Sequence, residues 1–101
     1  MKVLKFGGSS LKDGTSMKSV GKIIASDQEE KVVVVSAIQG ITDSLLKFMS
    51  AGRNEEEVQR FIKDLRDRHL RILTEVANSM DVKQTAVSLL TSQLVRLERI
   101  L

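Results

Sequence analysis

The run Lys31-Val32-Val33-Val34-Val35 constrains this chain more than any other stretch, because four consecutive valines show no alternation of apolar and polar residues. A strand with one face in water alternates. One that reads apolar throughout is covered on both faces, the habit of parallel sheets in α/β proteins. Parallel neighbours cannot be joined by a hairpin and need a crossover connection of a dozen or more residues. The preceding sequence supplies one. Residues 2–6, with Lys2 and Lys5 as their only charges, read as a first strand, and residues 15–26 carry Met17, Val20, Ile23 and Ile24 at helical spacing, with Thr15 or Ser16 as N-cap. Gly21 within that helix costs about 1 kcal/mol against alanine and is expected to mark close packing on a strand. Asp27-Gln28-Glu29-Glu30 forms a polar connection to the valines. The expected start is therefore a βαβ unit of an α/β fold.

Each strand runs into a loop whose composition suits ligand binding, and open α/β sheets place their ligands at the carboxyl ends of strands. The first loop is Lys5-Phe6-Gly7-Gly8-Ser9-Ser10. Two glycines let the backbone turn and approach a ligand closely, and their amides, with a helix start behind them, make a cradle for phosphate oxygens. Lys5 adds a point charge on a flexible stem. The order differs from the Walker A loop, where lysine follows the glycines, and from the dinucleotide fingerprint. The second loop, Ser36-Ala37-Ile38-Gln39-Gly40-Ile41-Thr42-Asp43, leads into a helix expected to bury Leu45, Leu46 and Met49 and to end at Ala51-Gly52.

Helices fill the rest of the chain. Asn54 with Glu57 three residues later reads as a helix start, the amide as cap and the glutamate reaching back. Val58, Phe61, Ile62, Leu65, Ile72, Leu73 and Val76 then recur every three or four residues, predicting an amphipathic helix of about six turns. A break near Asp81 and a last helix with Val82, Val87, Leu90, Leu94, Leu97 and Leu101 inward complete the chain. That pattern stops without a terminating glycine or polar tail, and two parallel strands make too small a sheet to be covered on both faces. Residues 1–101 are therefore expected to be the incomplete amino-terminal part of a larger domain. Open strand edges and uncovered apolar faces would favour a homo-oligomer.

Composition excludes several classes of function. A net charge of +3 comes from lysines and arginines interleaved with acids, and with three phenylalanines as the only aromatic residues no stacking surface for nucleic acid is expected. No apolar run approaches the roughly 20 residues of a membrane span. There is no cysteine for a disulfide, zinc site or thiol nucleophile. The amino terminus lacks a secretory pattern, so the cytoplasm is the expected compartment. His69, alone among Arg66, Asp67, Arg68 and Arg71, reads as a surface or partly packed residue, so no metal site is predicted. The acidic run Glu55-Glu56-Glu57 reads as a helix start, and Met17, Met49 and Met80 read as core filling.

Taken together, Lys5-Phe6-Gly7-Gly8-Ser9-Ser10 and Ser36-Ala37-x-x-Gly40-x-Thr42-Asp43 after a valine-rich strand resemble the start of the aspartokinases, a branch of the amino acid kinase family. The first motif is shared with other branches such as the acetylglutamate kinases; the second discriminates. The resemblance covers this whole chain but only the first third or less of such an enzyme. It implies a parallel-rich three-layer αβα domain with a helical excursion after the second strand. The rest of the kinase domain and the regulatory ACT domains would lie beyond residue 101.

The implied activity is transfer of the γ-phosphoryl group of ATP, with Mg2+, to the β-carboxylate of L-aspartate, on the route to lysine, threonine and methionine. On that resemblance Lys5 is the catalytic cation, and Lys5, Phe6, Gly7, Gly8, Ser9 and Ser36 form the ATP- and phosphate-binding set, Ser36 touching nucleotide or substrate. Thr42 binds aspartate or caps its helix, and Ser9 and Ser10 bind phosphate or cap the first helix. Asp43 is expected to be structural. The isolated chain is expected to be inactive. The alternative is a small helical interaction module without catalysis, resting on the two amphipathic helices at the carboxyl end.

Overall fold

The computed structural model describes all of residues 1–101, in the order β1 (Lys2–Phe6), a 3-10 turn (Gly8–Leu11), α1 (Gly14–Ser26), β2 (Lys31–Val35), α2 (Ile41–Ser50), α3 (Glu55–Val76) and α4 (Met80–Ile100). These divide into two compact units, Met1–Ser44 and Leu45–Leu101. No helix is long and apolar enough to cross a membrane.

The first unit is the predicted βαβ. β1 and β2 pair in parallel, from Lys2 opposite Lys31 to Phe6 opposite Val35. α1 starts one residue earlier than its hydrophobic pattern implies, at Gly14, because Asp13 caps it: the carboxylate accepts the Ser16 amide at 2.8 Å. Neither Thr15 nor Ser16 is the cap. Gly21 is no close-packing site either, since a side chain there would meet nothing within 4 Å. At the amino ends of the strands the Lys2 ammonium reaches Asp27 at 2.8 Å and Glu29 at 3.1 Å, and Lys31 Nζ donates to the Asp27 carbonyl at 2.7 Å. That clamp ties the α1–β2 connection to the first residue of β1. The valines of β2 are 37–58% exposed, so the two-sided cover read from their sequence is not provided within these residues.

The second unit is a helical hairpin. Asn54 caps α3 by accepting the Glu57 amide at 2.9 Å, as its spacing predicts. Ser79 caps α4 by accepting from Val82, so α4 begins at Met80 and Asp81 lies in its first turn, where the helix dipole favours an acid, instead of breaking the chain. Val58, Ile62, Leu65 and Ile72 of α3 are buried, as is Leu94 of α4. Phe48 stacks on Phe61 with ring centroids 4.2 Å apart, and the Arg53 guanidinium lies over Phe48. Leu46, Met49, Met80 and Val82, expected inside, are exposed. His69 is half-buried, its Nδ1 2.7 Å from the Leu65 carbonyl oxygen.

Truncating Ile62 to alanine is expected to destabilise the hairpin by about 2–4 kcal/mol, whereas Leu89→Ala, at a position 63% exposed, should change little. Amide exchange along α3 reads the difference. The Asp27 carboxyl is held below the usual carboxylate range chiefly by the Lys2 hydrogen bond and then by the Glu29 amide. Its stabilisation is complete at neutral pH and is lost as pH falls from about 3.9, the unstructured value, through the depressed folded one. The thermal midpoint of wild type should therefore fall more steeply with acid below about pH 4 than that of Asp27→Asn, and parallel curves would disprove the clamp.

Candidate functional site

The ladder carries both strands out at the same end of the sheet. Beyond the last pair, Phe6 with Val35, the Ser36 amide donates to the Phe6 carbonyl at 3.1 Å, so Ser36 emerges beside Gly7. Phe6 lines a shallow groove with Val20 and Ile23 of α1, which places its side chain on the α1 face. Because side chains alternate along a strand, Lys5 lies on the opposite face with Val3, and the register adds Val32 and Val34 to that face. Lys5 is exposed at the strand's end, not sunk among its apolar neighbours.

Gly7 continues extended, with φ −83° and ψ 178°, and the chain then tightens into the 3-10 turn, closed by the Ser10 amide on the Gly7 carbonyl at 3.1 Å and anchored by Leu11, 5% exposed. The amides of Gly7, Gly8 and Ser9 take no hydrogen-bond partner within the chain. Neither glycine has a positive φ. A side-chain carbon on Gly7 would meet nothing within 4 Å, and one on Gly8 would sit at ordinary contact distance, 3.5 Å from the Gln39 Cα and 3.6 Å from Ser36 Oγ. Neither backbone conformation nor packing within this chain therefore requires glycine at either place, and the absence of side chains leaves the backbone amides accessible to close approach. Ser9 and Ser10 do not cap α1, a role taken by Asp13, and their hydroxyls make no hydrogen bond within the chain.

After β2, the Ser36 hydroxyl donates to the Ala37 carbonyl at 2.7 Å, and its oxygen keeps the capacity to accept. Residues 38–41 then form a β-turn closed by the Ile41 amide on the Ile38 carbonyl at 3.0 Å, with Ile38 buried and Gly40 at φ 86°. A positive φ at the third turn position is the type II geometry, which glycine alone adopts without strain. The Gly40 carbonyl accepts the Ser44 amide at 3.0 Å, so Gly40 holds the cap position of α2, and the amides of Thr42 and Asp43 in its first turn remain open. Thr42 is thus inside the helix and exposed, not its cap.

The first unit thus gathers Lys5, Gly7, Gly8, Ser9 and Ser36 at one sheet end, with Thr42 at the helix that follows. Phe6 contributes by spacing, its carbonyl bound to Ser36 and its ring against α1. Open amides at two helical starts and one lysine make an anion-favouring surface. No group of three or more His, Asp or Glu side chains is placed to hold a metal ion. Sequence reasoning missed the Asp13 cap, signalled by Asp-Gly before the helix with Ser16 three residues on.

The family model for the amino acid kinase family matches residues 1–100. Among curated proteins, the aspartokinase of Chlamydia pneumoniae is 47% identical over 62 residues, 60% of this chain and 14% of its own length. Aspartokinase 3 of Bacillus subtilis is 57% identical over 37 residues, 37% of this chain and 8% of its own. A protein of Haemophilus influenzae named as an inactive aspartokinase 3 is 32% identical over 65 residues, 64% of this chain and 54% of its own. The chain thus spans only a small part of the first two relatives and about half of the third.

Alanine at Gly7 or at Gly8 is expected to leave the fold intact, with thermal midpoints within about 3 °C of wild type, while weakening binding of inorganic triphosphate in the complete protein. Loss of folding in Gly7→Ala would show that the glycine serves the chain and not a ligand.

Proposed function

The chain belongs to the amino acid kinase family, and from that premise we propose that it forms the amino-terminal part of a kinase domain that phosphorylates the β-carboxylate of L-aspartate with MgATP. The observation that carries this reading is the set of partnerless amides at Gly7, Gly8 and Ser9, open on the Gly7 side and next in sequence to an exposed lysine. The names of the relatives supply the acceptor.

The chemistry suits such a site. An aspartate side chain, with a reference pKa near 3.9, is ionised at neutral pH, so the nucleophile needs no general base. A carboxylate oxygen attacks the γ-phosphorus, the bond to the β–γ bridging oxygen breaks, and ADP leaves with that electron pair. Charge is the obstacle, since an anion approaches a polyanion and the transferring group spreads its charge over three oxygens. Lys5 supplies a cation to the phosphates and the loop amides bind their oxygens, positioned before reaction begins. Magnesium, arriving with the nucleotide, shares that neutralisation. The open first turn of α2, with the Thr42 hydroxyl, receives the aspartate carboxylate. The adenine pocket and the remaining aspartate contacts belong to residues outside these 101. A helical interaction module, the other reading, draws on exposed Val82 and Leu89 of α4 and leaves the glycine loop unexplained.

In the complete protein, trapping the acyl phosphate with hydroxylamine should give aspartate-dependent product, and the 101-residue chain alone should give none. Lys5→Ala is expected to lower kcat by about 10²–10³-fold with the fold retained. Thr42→Ala should raise KM for aspartate about tenfold, the equivalent of one hydrogen bond to a charged group, with KM for ATP nearly unchanged. Activity within twofold of wild type in Lys5→Ala would sink the proposal.

A further inference from the structure

α4 carries apolar side chains on two faces and packs only one of them on α3. On the inner face Leu94 is buried, with Val87, Leu90 and Leu97 half-buried beside it, whereas on the outer face Val82 is 53%, Leu89 63% and Ile100 76% exposed. The outer positions fall in a regular order. Val82, Ala86, Leu89, Gln93, Arg96 and Ile100 step by four and three residues in turn, a mean of about 3.5, which is the narrow seam of a coiled coil. Val82, Ala86 and Leu89, with Asp81 and Thr85, line a shallow apolar groove that suits a side chain from another helix. The charges beside the seam divide by end. Asp81 stands at its start and Arg96 and Arg99 near its finish, and none of the three is in an ion pair within the chain. Asp81 and Arg99 are eighteen residues apart, about five turns, and so lie on the same flank of the helix.

We propose that this outer face of α4 is the contact between two copies of the chain, their α4 helices antiparallel about a two-fold axis. Charge complementarity decides both the occupant and the direction. When the face meets itself reversed, Asp81 of each copy lies beside Arg99 of the other, a contact made twice by symmetry, and the helix dipoles oppose. A parallel pair would set Asp81 against Asp81 and Arg96 against Arg96. Reversal also matches the seam, Val82 with Ile100, Ala86 with Arg96 and Leu89 with Gln93. The alanine leaves room for the arginine stem, whose guanidinium reaches water. Polar residues within such a seam cost stability and fix register, so the two helices hold one alignment.

The test uses the complete protein in a cysteine-free background, as Val82→Cys and Ile100→Cys, each alone and the two co-expressed, with mild oxidation and detection of linked chains by mass. Both positions are exposed, so thermal midpoints within about 3 °C of wild type are expected. Linked chains should form only where the two variants are present together, because antiparallel helices bring residue 82 to residue 100 of the other copy and hold like positions about 27 Å apart. Added to that pair, Asp81→Arg or Arg99→Asp should each lower the linked fraction by about threefold or more, and both together in one chain should restore it to within about twofold. Linkage of either cysteine variant alone shows a different contact and overturns the proposal. No linkage in any sample shows that another part of the protein covers the face, and overturns it too. Charge variants that leave the linked fraction unchanged, or whose combination fails to restore it, deny the contact of Asp81 with Arg99 and with it the antiparallel pair. The readout needs no turnover and is independent of the kinase reading.

Discussion

The parallel pairing of β1 with β2 carries both strands to the same end of the sheet, and every candidate group lies where they leave it. Antiparallel strands joined by a hairpin would send their loops to opposite ends. Here the crossover through α1 returns the chain so that the Ser36 amide meets the Phe6 carbonyl at 3.1 Å and the two loops begin side by side. Register matters as much as direction. A slip of one residue would move Lys5 to the face that carries Phe6 and α1, since successive side chains point to opposite faces. The Lys2 clamp at the far end opposes such a slip by holding Asp27 and Glu29 to the first residue of β1.

Three glycines at this end answer to different demands, which a sequence alone cannot separate. Gly40 is required by its φ of 86°. A side-chain carbon on Gly8 would lie at ordinary contact distance from the neighbouring loop, and one on Gly7 would meet open space. In the last two cases the chain itself does not explain the absence of a side chain. The same separation bears on the hydroxyls. Asp13 takes the capping role at α1 and Gly40 occupies the cap position of α2, so Ser9, Ser10 and Thr42 are released from the structural duties that their types suggest.

Elements with strong local signals are legible in the sequence: the βαβ start from the valine run, the two strand-end loops, and α3 from its Asn54 cap and periodicity. What failed depended on competition or on distant neighbours. Asp13 outcompetes Thr15 and Ser16 because it lies one residue ahead of a helix that glycine is free to begin. Asp81 reads as a breaker until Ser79 is recognised as the cap, after which an acid in the first turn is favourable. Periodicity found the apolar faces of α2 and α4, but not which residues on them are covered: Leu46 and Val82 are exposed while Leu94 is buried. Spacing reports that a face exists, and only the neighbours decide its burial.

The β2 valines state this most sharply. Their uninterrupted run reads as a strand covered on both faces, yet they are 37–58% exposed in a sheet of two strands. Fully burying such a side chain is worth about 1.5–3 kcal/mol, a stabilisation these residues are shaped for and do not collect within the first unit. On the kinase reading, further strands and helices cover those faces, one of which also carries Lys5. Whatever packs on Val32 and Val34 then packs beside that ammonium and narrows the water around it, which strengthens its attraction for phosphate. Completion of the sheet and completion of the site would be the same event, so the exposed valines and the half-built anion cradle have one cause.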